Sequence, residues 1–313
     1  MFNVIIRVYS ILYSSHGKLN LMLSPMRFLW RKLANVLQPR WLRRSLQTCR
    51  VGQQTLQNGE RIVVSLTSFP ARINDVWQVV ACMLAQTLQP TKVILWLSKE
   101  QFSSKDTLPQ SLLSLEDDTF NIRFVDDDLR SHKKHYYAFR EYLGDLVVII
   151  DDDLYYPTDM LAKLYEAHRQ NPTAVVCRYA YQMRYVPDGT LKPYAQWGKV
   201  MGASTSGQLF FGSGGGTLFQ PAQLYPDISR KDLFTRLTPQ ADDIWLNAMT
   251  RLADIPIVKI PCGLILPVFI AKNVTLAASN LYDNGNDGQL QDVQSYYAEE
   301  IGRRPFVLTA ENC

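Results

Sequence analysis

From residue 61 onward the apolar residues gather in short uninterrupted runs. Arg61–Thr67, Lys92–Leu97, Asn121–Val125 and Leu146–Ile150 are rich in Val, Ile and Leu and bounded by polar residues, the pattern of strands buried on both faces. Between them the spacing changes to three and four. Trp77, Val80, Ala81 and Leu84 predict a helix capped by Asn74 or Asp75 and closed before Pro90. Lys133–Tyr142 predicts a second. Leu161, Leu164, Tyr165 and His168, behind Pro157-Thr158-Asp159, predict a third, and Ala174–Cys177 begins another strand. Alternation over 60–180 predicts an α/β fold, a mostly parallel sheet with helices on both faces. Ligands of such sheets sit beyond the carboxyl ends of the strands.

The second half is less regular. Pro193–Thr217, rich in Gly, Ser and aromatics, reads as loop. Thr238-Pro239 reads as a helix start, with Ile244, Trp245, Ala248, Met249 and Leu252 as its apolar stripe. Ile257–Ile260 reads as a strand and the polar stretch 280–292 as a loop. There are no internal repeats.

Residues 1–59 have another character. They mix bulky apolar residues with nine Lys and Arg and carry no Asp or Glu, leaving 24 basic against 29 acidic side chains in 60–313, a net of −5. The expected division is therefore a basic amphipathic extension, 1–59, ahead of a catalytic domain, 60–313. The longest uncharged run, Val8–Gly17, is far short of the roughly 20 residues a membrane span needs. Arg7 breaks the apolar run a signal peptide would want. From Met26 to Leu46, Arg and Lys interleave with Trp and Leu, which suits an anionic membrane surface; packing on the body or on a partner, or a disordered leader, are the other readings. The acidic body and the lack of a recognisable module argue against nucleic acid.

Five cysteines, Cys49, Cys82, Cys177, Cys262 and Cys313, are odd in number, widely spaced and form no C-x-x-C pair. That argues against a disulfide framework or a structural zinc and for a reducing, cytoplasmic setting, peripheral at the inner face of the cell membrane if the basic segment binds lipid.

Four features carry chemistry. Asp151-Asp152-Asp153 closes the most apolar strand; like charges disfavour one another there, and a hard divalent cation, Mn2+ or Mg2+, relieves them. Alternation along the chain puts Asp151 and Asp153 on one side and Asp152 on the other. Gly212-Ser-Gly-Gly-Gly216 allows close backbone approach of a ligand, or is a flexible turn. Asp242-Asp243 before Trp245 stand in the first turn of a helix, where carboxylates stay ionised and can serve as a general base, or are simply helix-start acids. Arg130–Lys134, just after Asp126-Asp127-Asp128, can bind phosphate or pair with those acids.

With these residues in view, Val63–Arg72, the Asp-x-Asp at Asp151–Asp153 and the later Asp-Asp before a Trp resemble bacterial GT-A-fold glycosyltransferases of the family 2-like group, which act in surface polysaccharide synthesis. The resemblance covers roughly residues 60–270. It implies a nucleotide-sugar donor, UDP-sugar favoured, and a saccharide or lipid-linked acceptor, with inverting transfer of a single sugar. It places Thr67, Ser68, Arg72, Asp126, Asp127, Lys134 and Asp152 around the donor, with Asp128 as a further choice near the base. Asp151 and Asp153 would hold the metal. Asp243, or Asp242, would deprotonate the acceptor. Trp197, Gly214, Gly215, Gly216 and Trp245 would contact the acceptor. There is no Gln-x-x-Arg-Trp of processive synthases, and His168 is the last histidine, so a C-terminal metal histidine has no counterpart. The alternatives are a sugar nucleotidyltransferase, which would want glycines in the Ser65–Pro70 loop, a dehalogenase-type phosphatase, which would want Thr or Val at Tyr155, and a non-catalytic carbohydrate-binding or decayed protein of the same fold.

Overall fold

The computed structural model describes residues 2–13, 24–48, 55–56, 59–262, 266–268 and 285–307. Its centre is a seven-stranded sheet in the order β11-β6-β10-β4-β1-β2-β3. Those strands are β1 (Ile62–Thr67), β2 (Lys92–Ser98), β3 (Phe120–Val125), β4 (Leu146–Ile150), β6 (Val175–Cys177), β10 (Gly215–Phe219) and β11 (Ile257–Lys259). All neighbouring pairs are parallel except those of β10, which runs antiparallel to both β4 and β6. This is a GT-A-type α/β sheet. β1, β2 and β4 read as apolar runs because nearly every residue in them is buried, on one face or the other.

One core layer lies under α3 (Trp77–Leu84) and α6 (Met160–Gln170), where Val79, Val80, Leu161 and Leu164 meet Val64, Leu66, Val148 and Ile150. The single turn α4 (Gln110–Leu113) adds Leu112 to the same layer. The other face is covered by α5 (Lys133–Glu141), α7 (Lys231–Leu237), α8 (Asp242–Leu252) and α9 (Gly285–Ile301), through Phe139, Phe234, Trp245, Met249 and Tyr297. A short three-stranded sheet, β8 (Gly198–Val200), β7 (Ala180–Gln182) and β9 (Leu209–Phe211), stands beside it. β5 (Leu154–Tyr155) pairs with β12 (Leu266–Pro267).

The basic extension contributes two helices, α1 (Phe2–Tyr13) and α2 (Ser24–Thr48). Ile5, Ile6, Tyr9, Ala34 and Leu42 are buried in the first core layer, so part of this segment does pack on the body. No described helix is long and apolar enough to cross a membrane.

Three expectations need correction. The stretch 193–217 is not loop throughout; it contains β8, β9 and the start of β10. Thr238 does not open a helix: it is buried behind α7, its hydroxyl donating to the Phe234 carbonyl, and the next helix begins at Asp242. The stretch 280–292 is helical from Gly285 on, since Leu290, Val293 and Tyr297 bury one face against α7 and α8, and that packing overrides a weak helix composition; residues 280–284 lie outside the described residues. Of the described cysteines, Cys82 and Cys177 are buried free thiols.

Candidate active site

β1 and β4 end side by side, so their outgoing segments share one rim. From the first come Ser68 and Arg72, from the second Asp151–Asp153. The Ser68 hydroxyl donates to one oxygen of Asp152 (2.5 Å) and Arg72 Nη1 to the other (2.6 Å). The same Arg72 nitrogen stands 3.0 Å from Asp153. Asp152 is thus buried, and it shares the Arg72 nitrogen with Asp153.

Because β10 is antiparallel, the chain entering it passes the carboxyl end of β4. The Gly214 carbonyl accepts the Asp151 N–H (3.0 Å) and the Tyr156 hydroxyl (2.5 Å). A Cβ at Gly214 would overlap the Asp151 carboxylate. Glycine at 214 is required there by a close approach within the protein, not by an acceptor. Gly215 and Gly216 lie buried in β10, beside Tyr179 and beside Met160 and Arg178. These three assignments to the acceptor are therefore corrected. So is that of Trp245, which is fully buried in the α8 stripe with its indole N–H on the Ile228 carbonyl (3.2 Å).

Ser213, just ahead, joins the rim to α8. Its N–H donates to Asp243 (2.7 Å) and its hydroxyl to Asp242 (2.7 Å). The buried ammonium of Lys134 lies 2.7 Å from Asp151 and 3.1 Å from Asp242. One lysine on α5 therefore ties the two acid groups together. Burial disfavours its charge, but Asp151, Asp242 and Asp243 hold it above the usual lysine range.

The four key carboxyls sit in different fields. Burial pushes Asp242 up, yet Lys134, His132 and the Ser213 hydroxyl outweigh it and leave Asp242 below its ordinary value. Burial and the adjacent Asp242 push Asp243 up to about 7. Burial and Asp151 push Asp153 to about 7 as well. Asp152 is raised by burial, which Arg72 only partly offsets. Asp242 thus holds both Lys134 and the Ser213 hydroxyl, whereas Asp243 accepts the Ser213 N–H.

Two chambers meet here. One, about 410 Å3, is lined by Thr67, Ser68, Arg72, Asp128, Lys134, Asp151 and Asp152 among others. The buried Ser131 Oγ and Gln101 Oε1 at its wall have no hydrogen-bond partner among the described residues. The other, about 460 Å3, is bordered by Asp151, Asp153, Asp242 and Asp243 and walled by Tyr179, Tyr181, Tyr194, Trp197 and Phe210. Arg72, Ser131, Lys134, Asp151 and Gln240 belong to both. Of the expected donor residues, Asp126 and Asp127 are not brought in. Past Val125 they turn outward to Lys99 and Lys231 (2.6 Å each), and Asp128 enters instead, paired with Lys133. Trp197 does reach the second chamber.

The sequence pattern did not point to Ser213 or, Trp197 apart, to the aromatic wall. Alternation in Tyr179-Ala-Tyr181 was the available signal, since it places both rings on one side; their hydroxyls are 2.7 Å apart. Nor did it point to a buried pair at the start of α5. His132 Nε2–H donates to the Thr238 carbonyl (2.6 Å), so its Nδ1 accepts the Nε2–H of His135 (2.9 Å). Both imidazoles are neutral, burial lowering His132 to about 4.

No cluster of three or more His, Cys, Asp or Glu side chains suited to a metal occurs among the described residues. Asp151 and Asp153 still form a two-carboxylate set on one side of the rim. Asp153 remains raised despite Arg72 at 3.0 Å, so negative charge there is under-compensated. Such a set fits a hard divalent cation whose other ligands are phosphate oxygens and water.

Residues 74–222 match the model of Glycosyl transferase family 2. Among solved structures, the mannosyltransferase PcManGT from Pyrobaculum calidifontis, in complex with GDP-Man and Mn2+, is similar at 14% identity and a TM-score of 0.48, covering 89% of this chain and 77% of that one. A 4-diphosphocytidyl-2C-methyl-D-erythritol synthase is similar at 11% identity and a TM-score of 0.43, covering 75% of this chain and 99% of that one. No curated protein matches the chain.

Proposed function

We propose that this protein transfers one sugar from a nucleoside-diphosphate sugar, UDP-sugar favoured, to a hydroxyl of a saccharide or lipid-linked acceptor, inverting the anomeric centre. The observation that carries the reading is Asp243: a carboxyl with a value near 7, without a salt bridge among the described residues, at the junction of an aromatic chamber with the Asp151–Asp153 rim. A group poised near neutral pH suits general-base work, and aromatic faces suit the apolar faces of a sugar ring.

The donor nucleotide occupies the smaller chamber, its base and ribose against Thr67–Arg72 and Asp128, with Ser131 and Gln101 offering unpartnered polar atoms. Its diphosphate lies at the junction, where Arg72 and Lys134 face it. Asp151 and Asp153 would hold Mn2+ or Mg2+ together with diphosphate oxygens, and the cation there would neutralise charge on the leaving group. The acceptor lies along Tyr179, Tyr181, Tyr194 and Trp197. Asp243 takes the proton of the acceptor hydroxyl, held in place by the Ser213 N–H. The acceptor oxygen bonds to the anomeric carbon as the bond from that carbon to the diphosphate breaks, and the nucleoside diphosphate leaves. Asp242 and Lys134 do not exchange protons; they fix the charge around the base. A nucleotidyltransferase reading gains no support from the site, since the segment after β1 presents Ser68 and Arg72 to Asp152 in place of a glycine-rich phosphate loop.

The test is release of nucleoside diphosphate from a panel of sugar nucleotides with Mn2+ and glycan acceptors. Acceptor-stimulated release from one donor is expected. Release of pyrophosphate from a nucleoside triphosphate and a sugar phosphate would overturn the assignment.

A further inference from the structure

Nine large hydrophobic side chains are exposed among the described residues, and six of them lie in α1 and α2: Val4, Met26, Phe28, Leu29, Leu33 and Val36. Four are not scattered. Met26, Leu29, Leu33 and Val36 follow a spacing of three, four and three, which sets them in one stripe along α2. The same stripe runs on through exposed Arg40 and Arg44, with exposed Lys32 at its flank, while Arg43 stacks its guanidinium over the Trp77 ring of the body (5.0 Å to the centroid). On the opposite face Ala34, Gln38, Leu42 and Ser45 are buried. The helix is therefore apolar on two sides, and the protein core accounts for only one.

We infer that the outer face of α2 docks on an anionic lipid bilayer. Met26, Leu29, Leu33 and Val36 enter the boundary between headgroups and acyl chains, and the arginines of the following turns meet lipid phosphates. Charge favours this occupant. Residues 1–59 carry nine basic and no acidic side chains, and an apolar stripe continued by cations matches the layering of acyl chains under anionic headgroups. Its geometry agrees. The ten steps from Met26 to Val36 rise only about 15 Å, enough to lie in the interface and too short to cross it.

The inner side of the same helix touches the segment that follows the rim. The inner side of α2 reaches the Tyr155 hydroxyl through Asn35 (3.5 Å), and Tyr155, two residues after Asp153, also bonds Gln78 (2.5 Å). Lipid docking would orient the cleft toward the membrane, whichever reaction the cleft performs.

Flotation of the full chain with vesicles of phosphatidylcholine, alone or mixed with phosphatidylglycerol, tests this. The protein should float with the mixed vesicles only, and less so in high salt. Replacing Lys32, Arg40 and Arg44 together by Gln should weaken binding about a hundredfold. Leu29→Glu with Leu33→Glu should abolish it. Circular dichroism and the unfolding transition, expected to match the parent's, establish that both variants are folded. A wild-type protein that stays unbound, or either folded variant floating like the parent, overturns the proposal. So does a concentration-dependent dimer that Leu29→Glu/Leu33→Glu dissolves, which would give the stripe to a second copy.

Discussion

The rim after β4 and the start of α8 solve one electrostatic problem in two ways. Each places aspartates side by side. In each, one member is sequestered by a buried cation and a serine hydroxyl: Asp152 by Arg72 and Ser68, Asp242 by Lys134 and Ser213. In each, the neighbour is left with a value near 7. The difference lies in what remains near that neighbour. Asp153 keeps Arg72 at 3.0 Å and has Asp151 as a second carboxylate on the same side. Asp243 has the Ser213 N–H and faces an aromatic chamber. The first arrangement is suited to sharing a multivalent cation, the second to taking a proton.

The comparison breaks most sharply at the two raised carboxyls. Asp243→Ala should lower turnover by about two to four orders of magnitude while calorimetry shows sugar-nucleotide affinity retained. Asp153→Ala should instead remove the Mn2+-dependent part of nucleotide binding. Equal loss of binding in both would erase the division of labour. Next come the cations. Lys134→Met and Arg72→Met each strand buried carboxylates and should cost about 3–5 kcal/mol in urea unfolding. A small cost for either would mean its carboxylates are already neutral. The serines are smaller again: Ser68→Ala and Ser213→Ala should each cost about 1.5–3 kcal/mol, the range for hydrogen bonds to charged groups.

The smallest effect is a slope. A raised folded value at Asp243 gives stability that is present below the ordinary carboxyl range and is lost as pH rises toward about 7. His132 acts oppositely: neutral when folded and lowered to about 4, it costs stability as pH falls from the ordinary histidine value to about 4. The two offset one another in the wild type. Asp243→Asn removes the first and should show a steeper loss of urea midpoint on acidification than the parent. An unchanged slope would show that Asp243 keeps an ordinary value.

The parallel half of the fold was legible because β1, β2 and β4 are buried on both faces and so appear as unbroken apolar runs. The rim acids were legible for the same reason, since a charged triplet directly after Ile150 marks where a buried strand must emerge from the core. The acceptor side was not. β7, β8 and β9 have three residues each, too few to display a period, and their aromatics look like loop residues. α9 contains two glycines, an asparagine and two aspartates, and becomes a helix through Leu290, Val293 and Tyr297. Lys134 was expected near the donor or beside Asp126–Asp128, and no local pattern shows that its ammonium lies between acids 17 residues ahead and 108 residues ahead.

The reversed direction of β10 has an evolutionary consequence. β6 and β10 are hydrogen-bonded neighbours, so the chain between Arg178 and Gly212 leaves the sheet and returns beside its own departure point. Its length is unconstrained by the spacing of the carboxylates, which Ser213 and Gly214 pin from the returning strand. That segment carries Tyr179, Tyr181, Tyr194 and Trp197, so on the proposed function a change in its length or sequence would reshape the aromatic chamber while the acids stay where they are.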